Sequence, residues 1–330
     1  MSSFATPDRT AAPRDFAIEH PRSLAEAAAL LAKLGPDAHV LAGGTDVVPL
    51  LRDGLLAPSA LVSLRRVGGL DGISAAGGVR LGARVTLQQL ASDPQLARVA
   101  QVLARACDSA ATPQVRNMAT IGGNLLQRPR CWYFRGAFDC LKKGGDRCFA
   151  VEGESAYHAV VTKGPCHIVH PSDPASALVA LDARIHLVGV KGPRTLPLAD
   201  FFAGPEVDVR RENVLGPAEL IEAVSFVPLA AADRGAFFKV GRRADFTFAT
   251  VNVAVVLRNR EARIVLGGVA PIPWRATAAE AVLAGKSLTP ALARAAAQAA
   301  LADAKPLKHN AYKVPLAQAL IERALISTLL

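Results

Sequence analysis

Aromatic residues make up only 5% of this 330-residue chain. That is too few to give a basic surface the stacking platforms on which single-stranded nucleic acid is held. The formal charge is +10, but the lysines and arginines are scattered rather than gathered in runs. No nucleic-acid partner is therefore expected, and the charge better suits an acidic partner or an anionic cofactor. No uninterrupted apolar stretch approaches about 20 residues, so no membrane span is expected. The opening Met1-Ser2-Ser3-Phe4-Ala5 lacks the basic-then-apolar order of a cleavable signal. A nucleophile elbow of the form Gly-x-Ser-x-Gly is missing, which removes the serine-hydrolase reading. The Gly-x-Gly-x-x-Gly turn is missing too, so any dinucleotide would bind in a fold other than the strand–helix unit that uses it. Cysteines number five, odd and low for a disulfide framework. None of them forms the Cys-x2–4-Cys knuckle typical of zinc.

Half of the residues (51%) are hydrophobic and 20% are charged, a globular composition long enough for two or three compact units. Against that background the cysteines are unevenly placed. Cys131-x8-Cys140-x7-Cys148-x17-Cys166 puts four of the five within one stretch. Residues 125–170 carry neither helical nor strand period, and a loop of that length inside a compact unit points to function. A four-iron cluster tolerates such gaps, because each thiolate binds a different iron. Arg130, Arg135, Lys142, Lys143 and Arg147 would offset its negative charge. His158, His167 and His170 lie nearby and read as hydrogen-bonding or surface histidines, since four thiolates suffice. Cys107 reads differently. It shares one face of a helix beginning at Asp93-Pro94 with Leu96, Val99 and Leu103, the position of a small core residue.

Ser23-Leu24-Ala25-Glu26 is a capping box opening a helix that Gly35-Pro36 stops. Strands are expected at 39–42, 61–64, 79–82 and 184–188, with a short helix from Val47 and another over 174–183. Phe246 to Leu257 alternates and Ala262 to Val269 follows Arg258-Asn259-Arg260-Glu261, which predicts an antiparallel hairpin. Three alanine-rich helices, 276–284, 290–303 and 313–329, close the chain.

Two glycine loops could carry ligand chemistry. Ala42-Gly43-Gly44-Thr45-Asp46-Val47 follows a strand and precedes a helix, so its backbone can approach a ligand and aim N–H groups at anionic oxygen. A tight turn with an Asx cap is the plain alternative. Thr120-Ile121-Gly122-Gly123-Asn124 is built alike and could line the opposite side of one extended ligand. Lys239, in the apolar strand before Gly241-Arg242-Arg243, needs a partner. Either a flavin group or a carboxylate would serve.

These motifs, taken in order with His170-Pro171-Ser172-Asp173 and Pro273-Trp274-Arg275, resemble the FAD-binding medium subunit of the xanthine dehydrogenase family of molybdenum hydroxylases. The resemblance runs from about Phe16 to the end. It implies that Ala42–Val47 and Thr120–Asn124 wrap the FAD, that Asp173 and Lys239 match the family's aspartate and strand lysine, and that Leu220 or Ile221 contacts the cofactor. Most members join the second loop to the aspartate by a short loop, whereas here 48 residues intervene and hold all four clustered cysteines. That looks like the subgroup whose flavin subunit carries an extra 4Fe-4S cluster, and the Cys131–Cys140 spacing suits its aldehyde-oxidising branch.

The resemblance thus implies an α+β flavoprotein. Residues 1–15 would be a flexible arm, 16–69 and 70–230 the two FAD-binding subdomains (the second with its insertion at 125–170), and 231–330 a C-terminal domain of antiparallel sheet and three helices. It implies Cys131, Cys140, Cys148 and Cys166 as cluster ligands and a heterotrimer with a large molybdenum-cofactor subunit and a small 2Fe-2S subunit. FAD would pass electrons to an external acceptor. A 4-hydroxybenzoyl-CoA reductase-like subunit is the alternative within the family, and a non-catalytic metal-binding assembly protein the alternative outside it. The expected location is the periplasm, reached with a partner's export signal, with the cytoplasm as the alternative.

Overall fold

The computed structural model describes residues 15–75, 77–243 and 246–329. Of the expected N-terminal arm, only Asp15 falls among them. The first unit is a parallel sheet of β1 (Ala17–Glu19), β2 (Ala38–Leu41) and β3 (Ala60–Ser63) in the order β1-β3-β2. Its helix, Leu24–Leu34, starts where Ser23 accepts a hydrogen bond from the Glu26 N–H and ends at Gly35 with φ 74°. Ala27, Ala28 and Leu31 bury one face of that helix against Val62 and Leu64.

The second sheet is antiparallel, ordered β4-β5-β8-β6-β7. Its strands are β4 (Ile73–Ser74), β5 (Val79–Gly82), β6 (Arg184–Gly189), β7 (Gly192–Pro197) and β8 (Glu219–Phe226). The third is a four-stranded antiparallel sheet, β12-β11-β10-β9, of β9 (Arg234–Val240), β10 (Val251–Arg258), β11 (Glu261–Gly267) and β12 (Trp274–Arg275). Helices Thr277–Leu283, Pro290–Ala300 and Lys313–Ser327 close a core with it through Ala279, Ala293, Ala297 and Ile321. The architecture is α+β, with the predicted C-terminal hairpin and its three helices.

Helix Asp173–Ala180 joins the second and third sheets. Every one of its residues is buried, and its apolar side chains share a core with Leu187 and Val224 of one sheet and Ala254, Val256 and Val265 of the other.

The single helix expected from Asp93 is two helices, Pro94–Val99 and Gln101–Asp108, broken at Ala100 with φ −156° and ψ 47°. The Val99 carbonyl, which a continuous helix would use internally, instead accepts the N–H of Leu229 at 2.8 Å. Cys107 is fully buried in the core as expected, and burial pushes its thiol well above the ordinary range.

Candidate functional site

The two glycine loops meet. A β-carbon on Gly43 would lie 1.8 Å from the Met118 carbonyl oxygen, so only glycine lets the first loop lie against the chain entering the second. Gly44 adopts φ 74°, in the left-handed region. The second loop is not a loop throughout. Thr120 caps a short helix, Ile121–Leu125, by accepting the Gly123 N–H at 3.2 Å. Its start is fixed to the segment after β5 by hydrogen bonds from Ile121 to Val85 and from Gly122 to Ala83.

Residues of both loops line one open groove. Ala42 to Val47 line it together with Thr120, Gly122 and Gly123. Leu220 and Ile221 of β8 also line it, with Leu64, Leu126 and Leu215 adding apolar surface. The N–H groups of Thr45, Asp46 and Val47 have no acceptor among the described residues, which leaves donors of the kind that hold anionic oxygen. Glu219 also lines the groove. Arg194 donates to both of its carboxylate oxygens, at 2.6 and 2.7 Å, and those bonds hold it below the usual carboxylate range.

Four expected site residues lie off the groove. Ile121 faces the core and is fully buried. Asn124 accepts a hydrogen bond from the Ser172 hydroxyl at 2.5 Å. Asp173, at the start of helix Asp173–Ala180, and Lys239 of β9 meet each other at 2.7 Å. Lys239 also donates to the Ser109 carbonyl, and Asn252 donates to Asp173. The partner that Lys239 has here is the carboxylate. Burial nevertheless dominates at Asp173 and raises its carboxyl above the ordinary range despite Lys239.

The cysteines converge as well. Cys131, Cys140, Cys148 and Cys166 together line one small cavity with Phe134, Phe149, His158 and Ile168. Burial pushes Cys131 up to about 11. A hydrogen bond with Cys166 lowers Cys148 to about 5 and raises Cys166. Among the described residues no three His, Cys, Asp or Glu side chains are placed to hold one metal ion. His158 stands at the cavity wall, its Nε2 3.2 Å from Cys131 Sγ, and burial lowers it to about 4, so it is neutral near pH 7. His170 is elsewhere, edge-on to Phe202.

The basic residues of the segment are only partly gathered at the cavity, where Arg147 lies over the ring of Phe149. Lys142 lines it but gives its ammonium to Glu212 at 2.5 Å, and Arg130 and Arg135 pair with Asp46. Asp46 therefore makes no Asx cap, although it occupies the N-cap position of helix Val47–Arg52. This pairing was missed in the sequence because its partners lie more than 80 residues away.

Residues 14–230 match the model of the FAD-binding domain in molybdopterin dehydrogenase, and residues 236–328 that of the CO dehydrogenase flavoprotein C-terminal domain. The chain belongs to this flavoprotein family. It is 39% identical to the aldehyde oxidoreductase FAD-binding subunit PaoB of Escherichia coli (strain K12), over 92% of this chain and 95% of that protein. It is 31% identical to the carbon monoxide dehydrogenase medium chain of Hydrogenophaga pseudoflava, over 95% and 96%. The solved carbon monoxide dehydrogenase of Hydrogenophaga pseudoflava superimposes with a TM-score of 0.78 at 30% identity, covering 97% of this chain and 99% of that one. These relatives are oxidoreductase subunits. The groove and its orphaned amides lie within the residues matched by the FAD-binding domain model, and such amides are of a kind that fits a diphosphate.

Proposed function

We propose that the chain is the FAD-carrying electron-transfer subunit of a heterotrimeric molybdenum-containing aldehyde oxidoreductase, and that its cysteine cavity holds a 4Fe-4S cluster. The observation that carries this reading is the pairing of one groove, bounded by both glycine loops, with one cavity lined by all four clustered cysteines. The 39% identity to an aldehyde oxidoreductase subunit supports the choice of reaction. A cluster needs four thiolates spaced around a cavity rather than converging on a point, and that suits four cysteines that form no single-ion site.

Bound FAD supplies exchange between one- and two-electron carriers, while the protein supplies binding and orientation. The amides of Thr45, Asp46 and Val47 would hold its diphosphate. Gly43 admits the backbone closely, and Leu220 and Ile221 exclude water. Cys131, Cys140, Cys148 and Cys166 would hold the cluster, with the neutral His158 beside Cys131. In this reading the chain sits between a small 2Fe-2S subunit and an external acceptor, and a large molybdenum-cofactor subunit oxidises the aldehyde. The complex would work in the periplasm, exported on a partner's signal, and a partner gene without any export signal would sink that placement.

The test is an anaerobic absorption spectrum of the purified complex, with flavin and iron quantified, for wild type and Cys140→Ala. Flavin bands over a broad iron–sulfur shoulder are expected, with about four irons lost in the variant. Unchanged iron in Cys140→Ala would remove the cluster, and absence of flavin from both proteins would remove the whole reading.

A further inference from the structure

Asp46 lines the groove, yet its carboxylate is turned to other uses. Arg130 and Arg135 reach its Oδ1 at 2.8 and 2.9 Å, and the backbone N–H of Arg128 reaches Oδ2 at 2.8 Å. All three donors come from residues 128–135, the stretch that carries Cys131 to the cavity. Arg135 also donates to the carbonyls of Pro129 and Arg128, which folds this stretch round the carboxylate.

The apolar packing beneath tells the same story. Leu50, Leu55 and Leu56, which follow the first glycine loop, bury against Phe134 and Cys140 in a small core of their own. The residues packed around it, Val47, Leu51, Cys131 and Phe149, come from the same two segments. The loop and its helix are thus supported by the cysteine segment rather than by any of the three sheet cores. A bare carboxylate in a groove meant for a diphosphate would repel its ligand. Two guanidiniums on one carboxylate reverse that local charge.

We propose that Asp46 is a latch: a positioning residue through which the cysteine segment holds the first glycine loop in its flavin-binding form. The proposal rests on the flavin reading of the groove, but not on the cavity being filled. It assigns the carboxylate an effect opposite in sign to the one its charge alone would have. If Asp46 were only a neighbour of the diphosphate, removing its charge would tighten FAD binding. As a latch, Asp46→Asn weakens it.

The full chain in its purified complex would be deflavinated and retitrated with FAD by flavin fluorescence. Wild type, Asp46→Asn, the pair Arg130→Gln with Arg135→Gln, and all three together would be compared. Asp46→Asn is expected to raise the FAD Kd at least about tenfold. The arginine pair should do likewise, and the triple variant should be little worse than either, because all three remove one interaction. Hydrogen exchange should rise over residues 42–56 and stay unchanged over 173–180. Should Asp46→Asn fail to fold, Arg135→Gln alone carries the same two expectations. FAD bound as tightly or more tightly by Asp46→Asn, or strictly additive losses, would overturn the latch. A wild type that takes up no FAD would instead overturn the flavin reading, and the latch with it.

Discussion

Replacing Lys239 by methionine tests whether the Asp173–Lys239 pair is a bolt between sheets or part of the flavin site. Both side chains are almost wholly buried, at 8% and 4% exposure. Removing one member of a buried pair costs about 3–5 kcal/mol, because the other charge is left uncompensated. Asn252 still donates to Asp173 at 2.7 Å, so the lower end applies, about 3 kcal/mol. For a chain of this size that lowers the melting temperature by about 4 °C. The loss should also depend on pH. Burial already raises the Asp173 carboxyl, and loss of Lys239 raises it further. The native state then holds a proton that the unfolded chain releases near pH 4. Stability falls as pH rises from there through the native value, and is flat above it. Lys239→Met should therefore lie closest to wild type at acid pH and furthest at pH 8. Adding Asp173→Asn should restore part of the loss, because the stranded charge is gone. Thermal melts of the complex at pH 5 and pH 8 measure all of this. Flavin lost from Lys239→Met at an unchanged melting temperature would refute the reasoning and put Lys239 at the cofactor.

Gly43→Ala should lose flavin, because its β-carbon would fall 1.8 Å from the Met118 carbonyl and push the two loops apart. Overpacking of that kind costs about 1–3 kcal/mol, and a flavin-to-protein ratio equal to wild type would count against the close approach. Lys313 is fully buried and gives its Nζ to the His158 and Gly268 carbonyls, at 3.0 and 2.8 Å. Burial lowers it to about 7. Above that pH the folded state has released a proton that the unfolded chain keeps until about pH 10, so stability should rise between them by up to about 4 kcal/mol. Lys313→Met should flatten that rise, and an identical pH–stability curve for the variant would dismiss the assignment.

The elements that could be read from the sequence are those whose signals are local. Ser23 with Glu26, and Thr289 before Pro290, mark helix starts through bonds three residues long. Of the two glycine pairs, Gly43 and Gly122 sit at close backbone approaches, to Met118 and to Ala83. β7 was not readable, because Gly192-Pro193-Arg194-Thr195-Leu196-Pro197 is an exposed edge strand with no buried face to impose alternation. The break at Ala100 depends on Leu229, and the partner of Lys239 lies 66 residues away at Asp173. No period or spacing carries such pairings. The cysteines announced themselves by clustering, but that they share one cavity is tertiary information. So is the fact that Arg130 and Arg135 pair with Asp46.

That arrangement explains how so long an insertion is held without a sheet of its own. Its base is stapled, since Ser172 Oγ donates to Asn124 Oδ1 at 2.5 Å. The cost of closing a loop grows only with the logarithm of its length, so a closed base makes added residues tolerable, and what remains is to order them. Three anchors do so. Asp46 takes the 128–135 stretch, and Glu212 takes Arg128 and Lys142 at 3.1 and 2.5 Å. The C-terminal unit takes the far end: Asn310 donates to the carbonyls of His158 and Ala159, Tyr312 to that of Ala156, and the N–H groups of Val160 and Val161 donate to Val269. One anchor falls beside the parallel sheet, one in the loop before β8 and one in the C-terminal unit. The insertion is therefore a tie across the molecule, and the four cysteines lie inside it. A cluster of the proposed kind in their cavity would therefore brace those parts, whether or not electrons passed through it.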